Sequence, residues 1–178
     1  MNVLIVIVLI VLNIQARSFK QILVHFPSMA YASTFNALYY YLCKHFLVWD
    51  FKSKYLSTRI LRVLHIFIAT PLLVLLYLTK FPSTSRQQIQ YVINWVIASM
   101  FFEVVANKTG TLYFNRGWNF GWSLLLYIKM YLYSYFFRRY PVLVLLMSIV
   151  TTISALAIFK VPIRKGFFYG PLLLFRNK

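Results

Sequence analysis

Residues 60–79 read ILRVLHIFIATPLLVLLYLT, an apolar run interrupted only by Arg62, His65 and Pro71. An α-helix rises about 1.5 Å per residue, so roughly 20 residues cross the ~30 Å hydrocarbon layer of a bilayer. The run therefore predicts one membrane-spanning helix. We expect Pro71 to bend this helix, because proline lacks the backbone N–H that a continuous helix uses.

Five more apolar stretches lie on either side of this run, at residues 1–16, 28–49, 89–106, 118–137 and 142–159. The last two are separated only by Arg138-Arg139-Tyr140-Pro141, which predicts a tight antiparallel hairpin. The sequence thus predicts an all-α fold, a polytopic transmembrane helical bundle of six spans. With no long hydrophilic stretch between the runs, we expect one membrane-embedded domain over residues 1–178.

The composition argues against a water-soluble domain. Hydrophobic residues make up 61% of the chain, aromatic residues 20%, and the mean hydropathy is +0.71. A soluble fold of this size would expose large apolar patches. The 19 Lys and Arg residues face only two acids, for a net charge of +17. These basic residues lie between the apolar runs rather than on one face, as in membrane-protein loops, so nucleic-acid binding is not expected.

The first stretch, residues 1–16, is short for a span, at about 24 Å by helical rise. A cleaved signal peptide is the alternative. The stretch lacks a basic segment before its apolar core, and Ile14-Gln15-Ala16 is a poor small-residue cleavage site. We therefore favour an uncleaved span, with five spans in total if this segment does not cross.

The distribution of Lys and Arg predicts the orientation. Residues 44–62, the 107–117 loop and the tail from 160 hold 5, 2 and 5 basic residues, and the N-terminus holds none. The opposite set of loops holds 2, 2 and 2. Because basic loops stay cytoplasmic, six spans place both termini in the cytoplasm of a multi-pass cell-membrane protein. With five spans the tail stays inside and the N-terminus lies outside.

The tail, residues 160–178, combines five basic residues with the apolar groups Phe167-Phe168-Tyr169 and Leu172-Leu173-Leu174-Phe175. This mixture is typical of a basic amphipathic segment that lies along an anionic lipid surface. A flexible solvated tail is the alternative.

Two ionisable groups inside the predicted spans are candidates for function, because a charge in hydrocarbon is costly. Glu103 lies near the inner end of the fourth span. It is expected to form a polar cluster with the nearby polar residues Asn107, Asn115, Arg116 and Asn119. That cluster is either a structural lock between the fourth and fifth helices or part of a substrate or ion site. Lys129 lies near mid-bilayer, and either extends toward the outer headgroups or faces a polar cavity.

Three other features suggest helix packing. Asn36, in the middle of the second span, is expected to hydrogen-bond to another helix. Gly117 and Gly121 have the four-residue spacing that lets membrane helices approach closely, and Trp118 and Trp122 repeat it. An aromatic anchor at the cytoplasmic boundary is the other interpretation of these tryptophans.

The sequence offers little for catalysis or for cofactors. His25, His45 and His65 fall near the ends of different spans, which is not the spacing of metal ligands. The single cysteine, Cys43, excludes an internal disulfide and a cysteine-based metal site. Paired carboxylates, a Gly-rich phosphate loop and an HExxH motif are absent from the sequence. We therefore expect no catalytic residues, no cofactor and no metal.

Several short motifs occur in a recognisable order. They are Phe26-Pro27-Ser28, Asn36-Ala37-Leu38-Tyr39, Trp49-x-Phe51, Phe81-Pro82, Tyr91 to Trp95 leading to Glu103, and Tyr113-Phe114-Asn115-Arg116-Gly117-Trp118-Asn119 with Trp122-Ser123. This order resembles a family of small, uncharacterised multi-span membrane proteins of spore-forming Bacillus-like and clostridial bacteria. Arg116 is inserted where that family tends toward Asn-Gly-Trp-Asn. The resemblance implies a multi-pass bacterial cell-membrane protein and no established activity.

Two functional hypotheses follow. The first is a non-enzymatic membrane component or complex subunit, whose partners are the bilayer with its anionic lipids and either itself or another membrane protein. The second is a small transporter or channel with an internal polar site at Glu103 and Lys129. An enzyme would require Glu103 to meet a histidine, of which His65 is the inner-half candidate.

Overall fold

The structure, a computed structural model, describes residues 2–44, 46–53 and 55–162. The described chain is mostly helical, which confirms the all-α class. Its helices are α1 (Asn2–Gln15), α2 (Ile22–Leu42), α3 (Thr58–Leu64), α4 (Thr70–Thr79), α5 (Ser85–Lys108), α6 (Phe120–Phe137) and α7 (Pro141–Ile158). A 3₁₀ turn, Ser18–Gln21, precedes α2, and a π-helical turn, His65–Ala69, joins α3 to α4.

Local sequence sets where several helices begin. The Ser57 side chain accepts a hydrogen bond from Ile60 N–H and caps α3. Asn119 caps α6 in the same way. α7 begins at Pro141, whose fixed φ suits a first helical position and whose missing N–H is not needed there. These caps satisfy backbone groups that each helix start leaves unpaired.

Helix α4 lies at the centre of the molecule and contacts α1, α2 and α6. Its side chains Val74, Leu75 and Tyr77 are fully buried. The Tyr77 ring packs on Tyr131 of α6, with centroids 4.7 Å apart, and on Trp95 of α5 at 5.8 Å. The core is therefore built around aromatic side chains at one level of three helices.

Two short strands were not predicted. β1 (Trp49–Phe51) pairs antiparallel with β2 (Leu112–Phe114), with Asp50 opposite Tyr113. The backbone pairing continues through Asn115 N–H to Val48 O, at 2.8 Å. The residues involved are largely aromatic, and such residues favour strands.

The predicted spans and the helices differ mainly at the second one. We expected residues 28–49, whereas α2 begins at Ile22 and ends at Leu42. Residues 49–51 are drawn instead into the strand pair, so the aromatic segment after α2 belongs to the loop. Most of the predicted amphipathic tail, residues 163–178, lies outside the described residues.

Three helices of the described chain are long and apolar enough to cross a membrane: Thr58–Thr79, Ser85–Lys108 and Pro141–Ile158. The predicted number was six. The segments Val3–Gln15 and Ser18–Leu42 pass the same test only as a pair, and they are bent by 78° relative to each other. Helix α1 therefore does not run antiparallel to α2, because its residues Val6 and Leu9 pack across α4.

Candidate functional site

A polar cluster forms where the end of α2, strand β1 and helix α3 meet. Its members Tyr40, Asp50, Arg62 and His65 are called the end cluster. The Arg62 Nη2 atom lies 2.8 Å from Asp50 Oδ2, and the two side chains are only 19% and 16% exposed. The Arg62 guanidinium also lies over the Tyr40 ring, 5.3 Å from its centroid. His65 stacks on Phe51, with ring centroids 3.8 Å apart.

Each member of the end cluster has a buried polar atom without a hydrogen-bond partner among the described residues. These atoms are Tyr40 Oη, Asp50 Oδ1, Arg62 Nε and His65 Nε2. An unpaired buried polar group costs about 1 to 3 kcal/mol, so ordered water is the expected partner of these atoms.

The backbone next to the end cluster is irregular. In the π-helical turn, Thr70 N–H donates to His65 O, five residues back. Pro71 follows in the first turn of α4. The bend expected at Pro71 stays a prediction. Residues 58–79 run as one helix, and the π-helical turn ends two residues before Pro71. Such turns are rare and are frequent at functional sites.

The strand pair positions Asp50. Trp49 N–H donates to Tyr39 Oη at 2.9 Å, and the same hydroxyl donates to Trp49 O. Lys52 N–H donates to Thr111 O on the far side of the strand. With Trp49 bonded to α2 and Phe51 paired with Leu112 of β2, the Asp50 carboxylate is held beside Arg62 of α3.

Glu103 forms a second, separate polar contact. Its side chain is 3% exposed, and Tyr127 Oη donates to Glu103 Oε2 at 2.6 Å. The bond joins α5 to α6. The other carboxylate oxygen, Oε1, is buried without a partner in the described part of the chain.

The predicted cluster around Glu103 is not assembled, because the contacts of its other four members lie elsewhere. Asn107 Nδ2 donates to Leu112 O at 3.2 Å, and the Asn115 N–H belongs to the strand pairing. The Arg116 guanidinium lies 3.7 Å from the centroid of Phe46. Asn119 Oδ1 accepts from the N–H groups of Gly121 and Trp122 and caps α6. Loops must satisfy their own backbone groups, which draws polar side chains away from Glu103.

The two glycines serve the start of α6 and not a close approach between helices. Gly117 has φ +82°, which glycine adopts without strain, and a Cβ there would meet nothing within 4 Å. At Gly121 a Cβ would lie 3.0 Å from Asn119 Oδ1, the capping atom. The rings of Trp118 and Trp122 each pack on Phe159, with centroids 5.3 Å apart in both cases.

Asn36 and Lys129 lie inside the helical body. Asn36 Nδ2 donates to Thr70 Oγ1 at 2.8 Å and joins α2 to α4. Lys129 Nζ lies 5.9 Å from the Phe35 ring centroid and 5.5 Å from that of Tyr133. Its neighbours are thus aromatic faces, which attract a cation.

The remaining candidates are the three histidines and Cys43. His25 Nε2 is 3.0 Å from Gln21 Oε1. His65 stacks on Phe51, and His45 lies outside the described residues. Within the described ranges, no group of three or more His, Cys, Asp or Glu side chains is placed to hold a metal ion. Cys43 is buried just beyond the end of α2, and burial raises the pKa of its thiol to about 11.

The end cluster was missed at the sequence level. A signal for it existed, because Asp50 is one of only two acids and precedes Arg62 by twelve residues. Pairing the two requires the chain to reverse direction between residue 51 and α3. We predicted a helix up to residue 49 and no strand after it, so the pairing was not expected.

Comparison with family models, with curated proteins and with solved structures found no match to this chain.

Proposed function

We propose that this chain is a multi-pass integral membrane protein that acts as a non-enzymatic component of a membrane. The outward surface of α7 supports membrane embedding most strongly. On this helix Val142, Leu146, Val150 and Ile153 are each 57% or more exposed, while Val144 and Ser148 face the protein. In water such a surface would be a large apolar patch, whereas in lipid it is ordinary.

We further propose five spans, formed by α2, the continuous helix from Thr58 to Thr79, α5, α6 and α7. Helix α1 makes an angle of 78° with the segment that contains α2. If α2 crosses with the average tilt of about 20°, α1 runs at roughly 60° or more from the bilayer normal and lies across the bundle. Helices α2 and α6 are less apolar because of their tyrosines and Lys129. They pack at the centre, where Tyr131 and Ser134 are fully buried. By the distribution of basic residues, the strand pair and the end cluster face the cytoplasm.

The non-enzymatic role is supported by how polar side chains are used inside the helical body. Three bonds join pairs of helices: Tyr31 to Ser148 at 2.6 Å, Ser99 to Tyr131 at 2.6 Å, and Glu103 to Tyr127. With Asn36 to Thr70, they join α2 to α4 and to α7, and α5 to α6. Groups committed to such packing hold a scaffold together, and the resemblance to small bacterial membrane proteins favours the cell membrane as its location.

The alternative function is a small transporter or channel with a polar site at Glu103 and Lys129. Glu103 bonds to Tyr127, which precedes Lys129 by two residues, or about 200° around the helix. This placement supports the non-enzymatic role over a shared site of the two residues.

Reconstitution in liposomes tests the proposed role. We expect no selective flux of ions or small solutes above that of protein-free vesicles, with the protein retained in the vesicle fraction after alkaline carbonate washing. Selective, saturable flux that Lys129→Met abolishes and Lys80→Met leaves unchanged would support the transporter hypothesis.

A further inference from the structure

An apolar groove runs along the outside of α5 and α6, at the end of the bundle opposite the end cluster. Its volume is about 510 Å³, within the range of ligand sites. Its walls are mainly branched aliphatic side chains from both helices: Val92, Ile93 and Val96 from α5, and Leu124, Ile128 and Leu132 from α6. The groove opens sideways, toward the surface that the proposed membrane would cover.

The length of the groove fits one leaflet of a bilayer. Its lining extends from residue 88 to 97 on α5 and from 124 to 136 on α6, or about 14 and 18 Å by helical rise. Half of a ~30 Å hydrocarbon layer is about 15 Å. The groove is therefore as long as the acyl chain of a single lipid.

A second pocket, of about 330 Å³, adjoins the groove at the bundle end. The two share Phe81, Gln88 and Tyr135 in their linings. The second pocket adds His25, buried Ser28 and the exposed Arg138. An apolar channel thus leads to a polar opening with a guanidinium at its edge, at the depth of lipid headgroups.

The charges at this end have no acid to balance them. The loops there carry six basic residues, namely Arg17, Lys20, Lys80, Arg86, Arg138 and Arg139. The whole chain contains only two acids: Asp50 is paired with Arg62 at the other end, and Glu103 lies near the far end of α5. The opening therefore attracts a negatively charged group.

We propose that this groove and pocket form one binding site for an anionic phospholipid, with an acyl chain between α5 and α6 and the phosphate beside Arg138 and His25. The proposal rests on the membrane embedding proposed above. It adds a specific lipid, of defined headgroup charge, to the general contact between an apolar surface and a bilayer.

Native mass spectrometry of the full chain in detergent tests the site, by titration with phosphatidylglycerol and phosphatidylcholine of identical acyl chains. We expect one phosphatidylglycerol bound about tenfold or more tightly than phosphatidylcholine, because the choline ammonium of the latter offsets its phosphate charge beside the basic residues at this end. Arg138→Gln should remove this preference. Arg139→Gln, which changes the adjacent exposed arginine outside the pocket lining, should keep it.

Two further experiments test the contribution of the acyl chain and that of the headgroup separately. Ile93→Trp fills the groove and should lower the occupancy of both lipids, whereas Phe101→Trp, on the same helix but outside the groove, should not. Glycerol phosphate, a headgroup without chains, should not compete at the lipid concentrations used. Equal binding of the two lipids by the unaltered chain, or equal effects of the two arginine changes, overturns the proposal. A second copy in the groove would overturn it too, as a dimer that Ile93→Trp dissociates.

Protein that stays in the membrane fraction but shows no lipid preference refutes this site alone. Protein that leaves the membrane fraction refutes the embedding on which the site rests.

Discussion

At the scale of single residues, the ion pair between Asp50 and Arg62 is the main electrostatic contact of the described chain. The pair is mostly buried, and the Arg62 guanidinium also lies over the Tyr40 ring. Burying such a pair costs desolvation, so it stabilises the fold only through good geometry, but removing one partner leaves an uncompensated charge. The pair therefore holds β1 against α3.

Substitutions at Asp50 and Arg62 measure how much this ion pair contributes to the free energy of unfolding. Asp50→Asn and Arg62→Gln should each lower the free energy of unfolding in detergent by about 1 to 3 kcal/mol, because each leaves one buried charge alone. The double variant should be less destabilised than the sum of the two, as is typical of residues in contact. Arg86→Gln, in the exposed first turn of α5, is the matched control. Additive losses, or losses no larger than the control's, would contradict the pairing.

Cys43 gives a second prediction at this scale. It is 5% exposed, and burial raises its pKa to about 11 from an ordinary 9.0, so the reactive thiolate is scarce at neutral pH. We expect slow modification by a maleimide at pH 7.5 in the folded protein, and fast modification once SDS unfolds it. A cysteine at the exposed Ser83, in a Cys43→Ala background, should react quickly under both conditions. Equal rates at the two sites in folded protein would show that Cys43 is accessible.

At the scale of elements, apolar runs predicted where the helices lie, because the fit of a helix to lipid depends on adjacent residues alone. The strand pair could not be predicted in this way. Residues 49–51 and 112–114 are some sixty positions apart in sequence, and only tertiary folding brings them together. The same holds for the Glu103 contact. Tyr127 is one of fourteen tyrosines in the sequence, and nothing in its local sequence marks it as the partner of Glu103. The direction of α1 likewise depends on its packing across α4.

Whether α1 crosses the membrane decides between five spans and six. In a Cys43→Ala background, a cysteine at Asn2 should be labelled by a membrane-impermeant maleimide on intact cells, since α1 that does not cross leaves the N-terminus outside. Arg86→Cys should be labelled in the same way, and Lys108→Cys only after permeabilisation. Labelling of Asn2→Cys that also requires permeabilisation would restore the six-span arrangement, with both termini in the cytoplasm.

At the scale of the whole molecule, the two ends differ in chemistry. One end holds the strand pair, the end cluster and Trp118 and Trp122 packed on Phe159. The other holds the opening of the proposed lipid site, with six basic residues and no acid. Between them, the outward side chains of α7 are almost entirely apolar, and those of α5 are apolar except for Gln90 and Asn94. Composition predicted that middle layer, whereas neither the pairing within the first end nor the groove at the second follows from composition.

Behaviour without detergent tests the central claim most directly, that a lipid layer covers the middle of this molecule. The chain, purified in a mild detergent and then exchanged into detergent-free buffer, should leave the supernatant on ultracentrifugation, because the exposed faces of α5 and α7 associate in water. Exchange into lipid nanodiscs should keep it dispersed and helical by circular dichroism. A folded, monomeric protein in plain buffer, measured by sedimentation and light scattering, would contradict the account.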